Sequence, residues 1–144
     1  MVAEKPSIAT SIARALDTGD LVQSGKTPPI FEFSGNFKGQ SVLYRVTSVV
    51  GHVFSTDFPP QYQQWDAVEP VELFSAPVVR TAEKGGIVRH LESCARGVSA
   101  LVLWLDCDRE GENICFEVIS CCEKYMNITG NGQKIFRAKF SAGI

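Results

Sequence analysis

The chain has 144 residues, a formal charge of −2, and 44% apolar against 21% charged residues. That balance is ordinary for a globular chain with a real core, and it excludes a generally basic nucleic-acid binder, though not a local basic face. No apolar run approaches the ~18 residues of a membrane span, and the start Met1-Val2-Ala3-Glu4 carries no signal-peptide pattern, so neither a membrane nor a secreted protein is expected.

Met1 to Ala3 reads as a strand, short enough that the natural strand is expected to begin earlier. Glu4-Lys5 and Pro6-Ser7 follow. Ser7 is placed to cap a helix whose apolar positions Ile8, Ile12, Ala15 and Leu16 recur at helical spacing. Residues 17–29 are polar and rich in Gly and Pro, which predicts a loop. Residues 30–33 and 41–48 read as strands around the turn residues Gly35-Asn36-Phe37-Lys38-Gly39. In the second, Val42, Tyr44 and Val46 alternate with Leu43, Arg45 and Thr47, as in a half-buried antiparallel strand.

Val49-Val50-Gly51-His52-Val53 leads into a long loop holding Asp57-Phe58-Pro59-Pro60 and Tyr62-Gln63-Gln64-Trp65. Its rings either stack on bases or pack against the sheet. His52 has two readings, a hydrogen-bonded structural histidine or a phosphate- or proton-handling group. His90 is expected on an exposed helical face, so no histidine metal cluster is expected. Residues 68–79, with Pro70 and Pro77, read as extended linker or edge. Gly85-Gly86 breaks the chain, and residues 87–95 form a short amphipathic helix that Gly97 stops.

Leu101-Val102-Leu103-Trp104-Leu105 reads as a strand buried on both faces. Asp106, Asp108, Glu110 and Glu112 follow at once, four carboxylates within seven residues, where open α/β sheets bind ligands. Like charges that close repel unless protons or a cation intervene. A hard ion such as Mg²⁺ fits, because one or two carboxylates, water and a substrate phosphate suffice to hold it. The plainer reading is an acidic turn capping the helix over 111–125, whose first turn favours acids. Glu4 tips the balance. It also sits at a strand-to-helix junction, so parallel neighbouring strands would bring Glu4 and Asp106 to one sheet edge. Lys5 would then stand beside a bound phosphate. A turn-rich stretch over 127–133 and a last strand over 134–138 complete the chain. The five cysteines, Cys94, Cys107, Cys115, Cys121 and Cys122, form no Cys-x-x-Cys pair, so neither a disulfide framework nor a zinc site is expected. The order strand, helix, antiparallel insertion (about 30–80), helix, strand, helix, strand predicts an α/β fold with a mainly parallel sheet flanked by helices.

Five segments, in order, resemble the motifs of the N-terminal Toprim domain of type IA DNA topoisomerases, above all the eukaryotic topoisomerase III group in its beta form. They are Val2-Ala3-Glu4-Lys5-Pro6-Ser7, Thr47-Ser48-Val49-Val50-Gly51-His52-Val53, Asp57-Phe58-Pro59, the stretch from Trp104 to Glu117, and Phe136-Arg137-Ala138-Lys139-Phe140-Ser141. The resemblance implies a Rossmann-like Toprim fold as a single domain over 1–144, an N-terminal fragment without the strand-passage and tyrosine-bearing domains. It implies ATP-independent relaxation of supercoiled DNA by transient single-strand cleavage through a 5′-phosphotyrosine, strand passage and religation. By resemblance Glu4 is the acid–base and leaving-group residue and Lys5 contacts the scissile phosphate. Asp106, Asp108 and Glu110 bind Mg²⁺, and His52, Arg109 and Arg137 are candidate nucleic-acid contacts. The implied partner is DNA in single-stranded segments, with RNA for the beta form, and the implied compartment is the nucleus. None of Tyr44, Tyr62 or Tyr125 matches the family's nucleophile, so the chain alone is expected to be inactive. Two alternatives stand beside this: a stand-alone Toprim nuclease or primase-like enzyme, which also uses Glu plus Asp-x-Asp, and a non-catalytic interaction fragment.

Overall fold

Strand β1 (Val2–Ala3) runs straight into helix α1 (Pro6–Leu16). A short β2 (Val22–Ser24) precedes a hairpin of β3 (Ile30–Phe37) and β4 (Gln40–Ser48). β5 (Phe54–Asp57) and β6 (Val79–Ala82) form a separate ribbon, with 3-10 turns at Pro60–Tyr62 and Pro70–Phe74 between them. Then come α2 (Ile87–Ala95), β7 (Leu101–Trp104), α3 (Arg109–Cys122) and β8 (Ile135–Arg137). This computed structural model describes residues 1–64, 66–83, 85–127 and 132–140. Trp65 of the aromatic loop, residues 128–131 of the turn-rich stretch, and Ser141 lie outside the described residues.

The main sheet has the order β2-β3-β4-β1-β7-β8. β1 is parallel to both β4 and β7, and β8 is parallel to β7. The β2–β3 and β3–β4 pairings are antiparallel, so the α/β fold carries a mixed sheet. Val2 lies opposite Thr47 and Leu103, and Ala3 opposite Ser48 and Trp104. Residues in register share a face and successive residues alternate. Val2 and Leu103 therefore join Leu91 of α2 and Ile114 and Val118 of α3 in one cluster. Ala3 joins Ala9, Ile12 and Ala13 of α1, with Phe31, Phe33 and Val46, in the other. Helices thus cover both faces, which is why β7 reads as an unbroken apolar run. Leu91, Leu103, Leu105 and Ile114 are fully buried, each contributing about 1.5–3 kcal/mol.

Several sequence-based expectations are corrected. α1 begins at Pro6, one residue ahead of the proposed Ser7 cap. Proline lacks the N–H that the first helical position would leave unpaired and already has helical φ, and Lys5 becomes a cap without a side-chain bond. The buried face of α1 is Ala9, Ile12 and Ala13, while Ala15 and Leu16 are exposed. β2, inside the expected loop, is an edge strand exposed throughout, so it lacks the apolar alternation that marks a strand in sequence. The hairpin turn is only Lys38-Gly39, both with positive φ (52° and 81°), as a two-residue hairpin requires. Gly35 stays in β3, where a Cβ would lie 2.6 Å from the Tyr44 ring. The long loop and the supposed linker pair with each other through β5 and β6, and residues Pro70–Phe74 are a 3-10 turn rather than extended chain. His90 is half-buried, not exposed: its Nε2 lies 2.7 Å from Thr47 Oγ1 on β4.

Candidate metal and phosphate site

β1 and β7 end side by side, and both strand-to-helix junctions meet there. The Asp106 amide donates to Glu4 Oε2 at 2.9 Å. Glu4 is 9% exposed, whereas Asp106 is partly exposed and Asp108, Glu110 and Lys5 are exposed. The shared sheet edge expected from the sequence is therefore present.

α3 starts inside the acidic loop. Asp108 is its N-cap, Oδ1 accepting from the Gly111 amide at 2.7 Å, and Glu110 and Glu112 occupy the first turn. An acceptor at the cap and negative charge in the first turn both satisfy the helix N-terminus. Gly111 backs onto the end of β7 so closely that a Cβ would collide with the Asp106 carbonyl oxygen. Glycine is what lets α3 begin here.

Arg137 closes the other side. Nη1 donates to the Leu103 and Ala138 carbonyls at 3.3 and 2.8 Å, and Nη2 to the Asp106 carbonyl at 2.9 Å. Nε donates to Glu112 Oε1 at 3.0 Å, and the side chain is 16% exposed. Its donors are engaged inside the protein, so Arg137 acts as a clamp between β8 and the acidic loop. Arg109 is exposed and, with Cys107, Asp108, Glu112 and Lys139, lines an open depression of about 520 Å³.

His52 reaches the acidic loop from the segment after β4. Its Nε2 lies 3.4 Å from Glu110 Oε1, and its Nδ1 lies 3.3 Å from Glu117 Oε1. Glu117 is 7% exposed. Its Oε2 accepts from the Val53 amide at 2.7 Å and the Phe54 amide at 3.4 Å, and its Oε1 from Asn113 Nδ2 at 3.2 Å. Sequence reasoning missed Glu117 and the role of Gly111. The available signals were an acid on the apolar stripe of α3, beside Ile114 and Val118, and a glycine in a first helical turn.

Among the described residues, no group of three or more His, Cys, Asp or Glu is close enough to hold a metal ion. The expected Asp106, Asp108 and Glu110 set is thus not drawn into a closed cage. The donors at hand are carboxylate oxygens, the chemistry of a hard cation that needs one or two carboxylates and completes its shell with water and phosphate. Cys107 is exposed within the acidic loop, its Sγ accepting from Arg137 Nη2 at 3.8 Å, and the other four thiols belong to the packed elements around it. Burial raises Cys94, Cys115 and Cys121, and pushes Cys122 up to about 12, which makes them inert packing groups. The tyrosines are also engaged elsewhere. The Tyr44 hydroxyl donates to the Asn36 carbonyl at 2.7 Å, Tyr62 packs with Phe58, and Tyr125 lies under Arg96 and Lys124.

The family profile of the Toprim domain matches residues 1–142. The chain belongs to the Toprim family. This Toprim chain is 54% identical over 144 residues to DNA topoisomerase 3-beta of Oryza sativa subsp. japonica, covering 99% of the chain and 16% of that relative. It is 46% identical over 149 residues to DNA topoisomerase 3-beta-1 of Homo sapiens, covering 99% and 17%. It is 42% identical over 146 residues to DNA topoisomerase 3-alpha of Arabidopsis thaliana, covering 98% and 15%. The Toprim chain therefore spans only a small part of the length of these relatives. Among the described residues, no helix is long and apolar enough to cross a membrane.

Proposed function

We propose that this Toprim chain is the metal- and phosphate-handling part of a type IA DNA topoisomerase of the topoisomerase III kind. The observation that carries the proposal is the Glu4–Asp106 contact, which places an acid from β1 against the start of the acidic loop after β7. The Toprim match and the high identity to DNA topoisomerases 3-beta support it.

In this proposal the nucleophile is a tyrosine supplied by a part of the enzyme outside these 144 residues. Its oxygen bonds to phosphorus as its hydroxyl proton passes to water, the bond from phosphorus to O3′ breaks, and Glu4, entering as the protonated acid, gives its proton to the departing O3′. Resealing runs the same steps backwards: O3′ returns its proton to Glu4 as it re-bonds to phosphorus. Lys5 offsets charge on the phosphate. Asp106, Asp108 and Glu110 would hold Mg²⁺, which supplies further charge stabilisation at the phosphodiester. The cap bond of Asp108 and the contact of Glu110 with His52 limit where those carboxylates stand. Arg109, exposed at the rim, contacts the nucleic-acid backbone. The substrate is single-stranded DNA, with RNA as a second one, in the nucleus.

The test is a Mg²⁺ titration of the isotope-labelled chain, following backbone amide shifts. The amides of residues 106–110 should move with a saturable midpoint at millimolar Mg²⁺, and Asp106→Asn should lose the response. Unmoved amides would sink the proposal. The chain alone should not relax supercoiled plasmid; relaxation through a tyrosyl adduct on this chain would refute the external nucleophile. Metal-dependent nicking without any adduct would favour the Toprim nuclease.

A further inference from the structure

We infer that Glu117, a buried acid of α3, is a positioning residue of this site: it accepts the Nδ1–H bond of His52 and so aims Nε2 of that ring at Glu110. A buried carboxylate is costly unless its oxygens are hydrogen-bonded. Glu117 meets that cost with four donors from three directions. The Val53 and Phe54 amides come from the segment after β4, Asn113 from one turn earlier in α3, and His52 from the surface. The Val53 side chain is fully buried in the cluster that holds Ile114 and Val118. The backbone beside His52 is therefore held twice, by apolar packing and by Glu117.

The identity of the protonated nitrogen follows from the partner. Both ring nitrogens face carboxylates, which only accept, and a neutral ring has one hydrogen. Nδ1 carries it because Glu117 Oε1, 3.3 Å away, is buried and fixed by its other donors, whereas Glu110 is 65% exposed and free to turn to water. Nε2 is then the atom presented to Glu110, at 3.4 Å. Taken alone, a contact between His52 and Glu110, 40% and 65% exposed, would contribute little and hold neither side chain still. Its definition comes from the buried end. Glu117 thus links the packed interior of α3 to the acidic loop through one ring, as outer partners orient ligating groups elsewhere. The inference rests on the proposed function only in treating Glu110 as a metal-facing acid. The ring geometry stands without it.

The test uses Glu117→Gln in the 144-residue chain, with long-range proton–nitrogen spectra recorded where the histidine rings are neutral. The Gln carbonyl takes the Val53 amide and keeps the backbone in place. Its NH₂ then faces His52 and donates, so Nδ1 loses its hydrogen and Nε2 gains it. The expected result is an Nδ1–H ring for His52 in the parent chain and an Nε2–H ring in the variant. The signals of His90 stay put as an internal control on the fold. An Nε2–H tautomer in the parent chain overturns the inference without any variant, and an unchanged tautomer in Glu117→Gln does so as well. In the Mg²⁺ titration, Glu117→Gln and His52→Gln should each move the midpoint at the Glu110 amide several-fold, and the double variant no further than either one. Additive effects would overturn the coupling. A tautomer switch in a chain that ignores Mg²⁺ would leave the inference standing and remove the proposed function.

Discussion

The amide of Asp106 donates to the carboxylate of Glu4 at 2.9 Å, joining two residues 102 positions apart. The bond exists because β1 and β7 are parallel neighbours with Ala3 opposite Trp104, so both strands stop at the same level. Glu4 is therefore placed by backbone, which is more rigid than a second side chain, and groups fixed before substrate arrives lose less entropy in the reaction.

Glu4→Gln should keep the fold, because its amide oxygen can still accept from Asp106. Glu4→Ala leaves that partly buried N–H without its partner and should cost about 1 kcal/mol, read as a lower urea midpoint. Both variants should abolish strand cleavage when placed in an enzyme that carries the tyrosine. Equal stability of the two would show that the Asp106 bond contributes nothing.

Gly111→Ala puts a methyl into the Asp106 carbonyl oxygen. Backbone meets backbone there, so relief requires α3 or the loop to shift, at about 1–3 kcal/mol or more. The melting temperature should fall and the Asp106 and Asp108 amide shifts should move. Gly35→Ala, which meets only the ring edge of Tyr44, should cost less. The reverse order would argue against a close approach at Gly111.

Arg137→Lys cannot reproduce the fork that reaches Leu103, Asp106, Ala138 and Glu112 at once. A loss of about 1.5–3 kcal/mol is expected for hydrogen bonds to a charged group. Hydrogen exchange should quicken in β8 and at residues 103–108, and stay unchanged in α1. Uniform quickening across the chain would mean that Arg137 supports the fold at large rather than this corner.

His90 sets a pH dependence. Burial lowers its pKa below the ordinary 6.5. The Thr47 hydroxyl donates to the Pro29 carbonyl at 2.8 Å, so His90 Nε2–H donates to Thr47. As pH falls through 6.5 the unfolded chain takes up a proton that the folded ring still refuses. The unfolded state then binds more protons, and stability drops with falling pH. Above that window His90 adds no pH dependence. Urea midpoints on either side of it should differ more in the parent chain than in His90→Gln, and equal slopes would refute the assignment.

Local pattern carried some elements outright. The helix over residues 87–95 was readable because Ile87, Leu91 and Ala95 recur at helical spacing and Gly97 stops it with a positive φ of 72°. β7 was readable because a strand covered on both faces needs no polar side. β2, β5 and β6 were not, since their residues are almost all exposed and strand pairing there rests on backbone bonds that leave no mark on composition. The acidic loop announced itself through charge density alone, but its internal division of labour did not. Asp108 turned out to cap α3, and Arg137 to face inward.

The sequence by itself determined the elements with a buried face, the acids at the end of β7 and the family, because helix and strand periodicity, charge clustering and motif order are properties of neighbours along the chain. Only the tertiary structure decided that Glu4 touches Asp106, that Gly111 is wedged against a carbonyl, and that Glu117 holds His52. Those depend on which strands lie side by side and how closely a helix approaches a sheet, and such distances are set by packing among residues far apart in the chain.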